Sequence, residues 1–234
     1  MTKSADLVEP PKKRVRWRPC WRLVSSRFPP EGLFDRVVDS EDIEIVAAIE
    51  GLTNDRLRQE LGELHLVPES ERQFGEGTTP IMAAFTHINR DGSRFSDGFF
   101  GVYYAARKVE TAIAETRYHR ERFLRCTSEV PLEIDMRSYR CDIDVSLHDI
   151  RENGGDYDQY HDPDCYAASQ QLAVTLRALG SKGIVYNSVR HEGGQCVALF
   201  RADIPKAPVT QGPHFCFVWD GECITRCYQK TVIE

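Results

Sequence analysis

The chain has no run of about 18 consecutive apolar residues, so no segment is long and apolar enough to cross a membrane as a helix. Its N-terminus has no apolar core followed by a small-residue cleavage site, so export is not expected and the expected compartment is the cytoplasm. Close pairs of metal ligands such as C-x-x-C or H-x-x-x-H are missing, so no metal is expected. His191-Glu192-Gly193-Gly194-Gln195 begins like a zinc-protease helix, but Gln195 replaces the second histidine and the two glycines weaken a helix. Gly75-Glu76-Gly77 and Gly180-Ser181-Lys182-Gly183 complete neither a dinucleotide fingerprint nor a P-loop, and no G-x-S-x-G elbow is present. Basic excess is absent too. The 234 residues hold 36 acidic and 30 basic side chains, a net charge of −6, which argues against direct binding of nucleic acid through a basic surface.

What is present fits one domain with an N-terminal extension and enough chain for a substantial core. Residues 1–19 have the charge and proline content of a flexible basic arm, with Lys12-Lys13-Arg14-Val15-Arg16-Trp17-Arg18 beside Glu9-Pro10-Pro11. That run reads as a solvated or partner-facing arm rather than a DNA arm. Residues 20–234 read as the folded unit. Strands are expected at 20–24, 99–105, 132–135 and 140–144. Capped helices are expected at 39–50 and 53–61, forming an insertion at about 39–62, and a third at 109–124. Residues 81–86 are apolar but ambiguous, and Asn89-Arg90-Asp91-Gly92 is a turn. Asp162 as N-cap and Pro163 at the first helical position start another helix, whose Cys165, Ser169, Leu172, Ala173, Leu176 and Leu179 share a side and which Gly180 stops. Hairpins follow at 184–189 with 196–201 and at 215–219 with 223–228. Short strands mixed with a few helices, without βαβ alternation, predict an α+β domain with a strongly bent mixed or antiparallel sheet. The eight cysteines are scattered and read as reduced thiols packed as small hydrophobes.

The chemistry-bearing stretch sets Arg94, Tyr104 and Glu115 about ten residues apart across a strand-to-helix joint. An arginine can fork onto phosphate oxygens, an aromatic ring can stack on a flat base, and a carboxylate can stabilise positive charge developing on a ribose. Together they suit a phosphorylated nucleoside. Each has a plain alternative: Arg94 as a surface ion-pair residue, Tyr104 as strand packing, Glu115 as a solvated helix-flank acid. Glu110 and Glu115 flank the apolar stripe of the 109–124 helix on opposite edges, and periodicity leaves open which faces a site. Arg27, Ser169, Gln170 and Arg190 are of second rank and read as structural.

Five pieces in order carry a resemblance: Trp21-Arg22-Leu23, Ser93-Arg94-Phe95, Gly101-Val102-Tyr103-Tyr104-Ala105, Ala112-Ile113-Ala114-Glu115-Thr116 and Gly183-Ile184-Val185-Tyr186-Asn187-Ser188-Val189-Arg190. Over roughly residues 20–205 the chain resembles the RES domain, named for an arginine, a glutamate and a serine and found in toxins of RES-Xre toxin-antitoxin modules. The resemblance implies a fold similar to ADP-ribosyltransferases and cleavage of the nicotinamide-ribose bond of NAD, which enters as a substrate. It implies that Arg22 and Arg94 bind the phosphates, Tyr104 stacks near nicotinamide, Glu115 serves the ribose and Ser188 completes the pocket, with Tyr103 as an alternative aromatic. It further implies a cognate Xre-type antitoxin as partner, and it leaves homodimerisation open. The leading expectation is destruction of cellular NAD with transfer of ADP-ribose to water or phosphate. The alternatives are transfer of ADP-ribose to a specific protein, and an inactive nucleotide-binding interaction module.

Overall fold

The computed structural model describes residues 9–25, 63–152, 155 and 157–231. The expected helices at 39–50 and 53–61, the insertion they form and Arg27 lie outside these residues.

Strand β1 (Lys12–Ser25) buries Val15, Trp17, Cys20 and Leu23 while Lys12, Lys13, Arg14, Arg16 and Arg18 stay exposed. The basic run expected in a flexible arm is therefore the first half of a strand. Apolar residues alternate with its arginines, and that period of two buries one face. Its partner is β3 (Leu132–Asp149), paired antiparallel from Lys12↔His148 to Trp17↔Ile143 and, past an irregularity, from Cys20↔Cys141 to Ser25↔Met136. Asp144 on β3 pairs with two cations of the run, Arg14 and Arg16 donating to its two carboxylate oxygens at 2.7 and 2.9 Å. Upstream, the buried His148 holds Ser181 Oγ through Nδ1 and Glu9 Oε1 through Nε2, each at 2.8 Å.

The other strands are β2 (Tyr103–Ala106), β4 (Gly183–Asn187), β5 (Gln195–Leu199), β6 (Lys206–Trp219) and β7 (Ile224–Lys230). They join in the order β1-β2-β5-β4-β3-β6-β7, and β1 also pairs with β3. Five strands thus return on themselves, with β1 meeting β2 at Trp21↔Ala106. The remaining two extend from the other edge of β3, where β6 pairs with its first part and β4 with its end. Among the described strands only β3 and β4 run parallel, so the sheet is mixed and strongly bent, as expected for this α+β chain.

Helix α1 (Thr79–Thr86) buries Ile81, Met82 and Phe85 in one apolar layer with Trp17, Cys20, Tyr103 and Cys141. Helices α2 (Val109–Arg125) and α3 (Ala167–Ala178) cover the second layer, where Ala112, Leu172, Ala173 and Leu176 meet Ile184, Tyr186 and Ala198. Full burial of Leu172 and Leu176 contributes roughly 1.5–3 kcal/mol each.

Several boundaries differ from expectation. The strand expected at 99–105 is confined to Tyr103–Ala106. Before it the chain crosses α1 so closely that a Cβ on Gly101 would lie 2.4 Å from Phe85 Cα. The two short strands expected at 132–135 and 140–144 are one continuous β3. The helix expected from Asp162 and Pro163 begins at Ala167 instead. Asp162 Oδ1 accepts the N–H groups of Asp164 and Cys165 at 2.8 and 2.7 Å, a local turn that uses its capping capacity before the helix starts. Cys165 and Leu179 are accordingly exposed, outside the buried stripe. All eight cysteines are free thiols, but only Cys20, Cys141, Cys196 and Cys216 are buried; Cys126, Cys165 and Cys227 face solvent.

Candidate active site

The site forms where the 93–96 loop, β2, α2 and the 188–194 turn meet. Ser93 and Ser96 close that loop through Ser93 N–H to Ser96 O at 2.8 Å. Gln170 on α3 ties it down by donating from Nε2 to Ser93 O and Ser96 O at 3.0 and 3.2 Å, which makes Gln170 a structural tether. Tyr104 leaves β2 toward the same loop. Its hydroxyl accepts Phe95 N–H at 2.9 Å and shares a hydrogen bond of 2.7 Å with Ser93 Oγ. Burial pushes the Tyr104 phenol up to about 12, so it stays a neutral hydroxyl near neutral pH.

Glu115 is the carboxylate that faces inward. Glu110, its rival on α2, is exposed, whereas Glu115 is half-buried and accepts a hydrogen bond of 2.6 Å from Ser188 Oγ. The Ser188 hydroxyl is itself oriented, because it accepts the N–H groups of Arg190 and His191 at 3.1 and 3.0 Å. Three bonds around one oxygen leave that hydroxyl a single direction in which to donate, toward the carboxylate. His191 Nδ1 in turn meets Thr111 Oγ1 at 2.8 Å, fixing the 188–194 turn against α2. A Cβ on Gly194 would lie 2.7 Å from Thr111 Cγ2, so the turn requires glycine for this close approach. Tyr186, on β4 two residues before Ser188, packs edge-on against Phe95 at 4.9 Å between centroids. Burial raises the Tyr186 phenol well above its ordinary value, with Cys196 and Glu115 adding to the shift.

Arg94 is buried. Its Nη1 donates to Tyr160 O and Asp162 O at 3.1 and 2.8 Å, and its guanidinium lies 4.5 Å from the Tyr166 ring centroid. The surface ion-pair alternative for Arg94 therefore does not hold. Arg190 covers the Tyr118 ring at 3.3 Å and donates to Pro163 O, while its buried Nε has no hydrogen-bond partner. His119 is pushed down to about 4, first by desolvation and then by Arg190, Arg94, Arg122 and Arg120. The side chain is nevertheless exposed to solvent, which weakens both the desolvation and the repulsion. A carboxylate in the same region as several guanidiniums, which act together on His119, suits an anionic ligand with a polarisable sugar at its centre.

The structure brings Arg94, Tyr104, Glu115 and Ser188 into this one region. Arg22 stands apart. Its Nη1 donates to Tyr104 O at 3.1 Å, but its guanidinium lies 4.9 Å from the centroid of Tyr103, whose ring belongs to the other apolar layer. Burial lowers its basicity, and its Nε is buried without a partner. Tyr103, the alternative aromatic, is fully buried beside Cys141 and does not reach the cluster. Ser169 donates to the carbonyl of Tyr166, the residue just before α3, and is structural. Arg190, His119, Tyr166 and Tyr186 are the neighbours that sequence reasoning underweighted or missed. The signal for Arg190 was its position two residues past Ser188, on the same turn.

A cleft of about 290 Å³ lined by Val67, Glu71, Phe100, Arg177 and Arg201 contains none of the five candidate residues. A second, of about 360 Å³, is lined by Tyr118, Glu121, Arg122, Arg125, Cys126 and Asp164 and adjoins Arg190 through Tyr118 and Asp164. Among the described residues no three His, Cys, Asp or Glu side chains are placed to hold a metal ion, and no helix is long and apolar enough to cross a membrane.

Known proteins resemble this one at two levels. Protein y4oC of Sinorhizobium fredii is 28% identical over 210 residues, covering 89% of this chain and 86% of its own. A chain from the crystal structure of the M. tuberculosis MbcT–MbcA toxin–antitoxin complex superposes with a TM-score of 0.45 at 12% identity, covering 86% of this chain and 85% of that one, a likeness too distant to bear weight. The RES domain model matches residues 71–220, well over half of the sequence, and includes Arg94, Tyr104, Glu115 and Ser188. The chain therefore belongs to the RES domain family.

Proposed function

We propose that this protein cleaves the nicotinamide-ribose bond of NAD, transfers ADP-ribose to water or phosphate, and acts as the toxin of a toxin-antitoxin module. The observation that carries the reading is the 2.6 Å hydrogen bond from Ser188 Oγ to Glu115 Oε1, which joins residues far apart in sequence beside Tyr104 and the arginines. Departure of neutral nicotinamide leaves an oxocarbenium-like ribose. Glu115 stabilises that charge, and Ser188 holds the carboxylate in place through the Arg190 and His191 amides. Arg94 and Arg190 anchor the pyrophosphate, so binding energy from remote groups favours the reacting geometry. Tyr104 presents its ring while its hydroxyl is locked to the 93–96 loop. Arg22 acts as a positioning residue in this scheme, holding β2 by the Tyr104 carbonyl.

The antitoxin follows from the family rather than from a surface on this chain. A helix-turn-helix partner that covers the guanidinium cluster would block phosphate entry. The test mixes purified protein with NAD, with and without phosphate, and identifies products by chromatography and mass spectrometry. Free nicotinamide with ADP-ribose, or with its phosphorylated form when phosphate is present, supports the reading and names the acceptor. NAD that survives alone while a lysate protein gains an ADP-ribose mass would replace it with protein modification.

A further inference from the structure

Cys20 and Cys141 lie directly opposite each other on β1 and β3. Both are buried, and their sulfurs are 3.4 Å apart. Cross-strand partners of this kind hold their Cβ atoms near the separation a disulfide requires, so closing the gap to a bond length of about 2.05 Å needs side-chain rotation rather than strand movement. The surroundings distinguish the two thiols. Cys141 Sγ lies 3.4 Å from the Tyr103 hydroxyl, whose ring carries the Arg22 guanidinium. The hydrogen bond from Cys20, and then that from Tyr103, hold the Cys141 thiol below its ordinary value against the opposing effect of burial. Cys20, the other member of the pair, is raised. The contact with the Tyr103 hydroxyl and the guanidinium behind it makes Cys141 the attacking sulfur and Cys20 the resolving one.

We propose that Cys20 and Cys141 are a modification site, an internal thiol pair that a small peroxide converts reversibly into a disulfide. The Cys141 thiolate attacks one oxygen of hydrogen peroxide, the O–O bond breaks, and the leaving hydroxide takes a proton to become water. The resulting sulfenic acid on Cys141 is attacked by Cys20 sulfur; the S–S bond forms, the S–O bond breaks, and a second water leaves with the Cys20 proton. Two thiols and one peroxide give one disulfide and two waters. The oxidant has to be small because both sulfurs are shielded. The ladder between β1 and β3 is irregular between Trp17 and Cys20, which places a break in regular pairing beside the two thiols. Bond formation withdraws Cys141 Sγ from the Tyr103 hydroxyl, next to the guanidinium that holds the Tyr104 carbonyl. The modification does not depend on the NAD reading.

The test treats the purified native chain with hydrogen peroxide, blocks remaining thiols with a maleimide under denaturing conditions, and maps peptides by mass spectrometry. The expected result is an intact mass lower by about 2 Da before blocking, one cross-linked peptide pair joining Cys20 to Cys141, and six blocked cysteines. Dithiothreitol should return all eight to the blockable state. Maleimide on both Cys20 and Cys141 after peroxide, a disulfide between other cysteines, or sulfinic acid on Cys141 without the cross-link would each overturn the proposal. The mapping uses the unaltered protein and so does not depend on the folding of any variant.

Discussion

At the residue scale the site rests on how few freedoms each side chain retains. Glu115→Gln preserves shape and removes charge, so NAD turnover should fall about 10²–10³-fold while KM changes little. Ser188→Ala removes the hydroxyl that orients the carboxylate and leaves the Arg190 and His191 amides unpaired; steady-state kinetics should show roughly a tenfold loss in kcat. Tyr104→Phe deletes the acceptor for Phe95 N–H and the partner of Ser93 Oγ in a buried setting, so urea unfolding should report a loss of about 1–3 kcal/mol. Sequence reasoning reached Arg94, Tyr104, Glu115 and Ser188 because motif order carries them. Helical periodicity by itself could not choose between Glu110 and Glu115, since both flank the same stripe and the approach of the 188–194 turn is what selects one. Nor could it place Arg22, because a residue's face depends on the irregularity between Trp17 and Cys20, which periodicity does not reveal.

At the element scale the close approaches of backbone are the decisive features. Gly183 opens β4 at φ +145°, and a Cβ there would lie 2.2 Å from Ala198 O on β5. Gly183→Ala should therefore strain the β4–β5 hairpin that presents Ser188, lowering the thermal midpoint by several degrees, of order 2–4 kcal/mol. Gly180→Ala is the control. It meets nothing within 4 Å, so its cost is confined to the positive φ of the position that ends α3. The two terminal hairpins and α2 were legible because turn glycines and a 3.6-residue apolar period mark them locally. The unity of β3 was not. Its middle carries Arg137 and Arg140, which look like a break until both edges are seen to be paired, with β1 on one side and β6 on the other.

At the scale of the molecule, a return of five strands divides the core into two apolar layers and leaves the guanidinium cluster on one of them. His119 belongs to that cluster, and its folded pKa of about 4 lies below its ordinary 6.5. The unfolded chain binds the proton first as pH falls, so this residue's contribution is fully present above pH 6.5 and is lost as pH falls through the window to about 4. His119→Gln should flatten that slope in urea titrations across the same range. The bent mixed sheet was foreseen from strands without βαβ alternation, but closure through β1 was not, because charge in the first 19 residues concealed a strand. The decisive experiment compares the native chain and Glu115→Gln for NAD affinity by calorimetry and for nicotinamide release by chromatography. Equal affinity within about threefold, with nicotinamide release about 10²–10³-fold slower from Glu115→Gln, is the predicted result. Equal release by both proteins would contradict the assignment of Glu115 and with it the proposed chemistry.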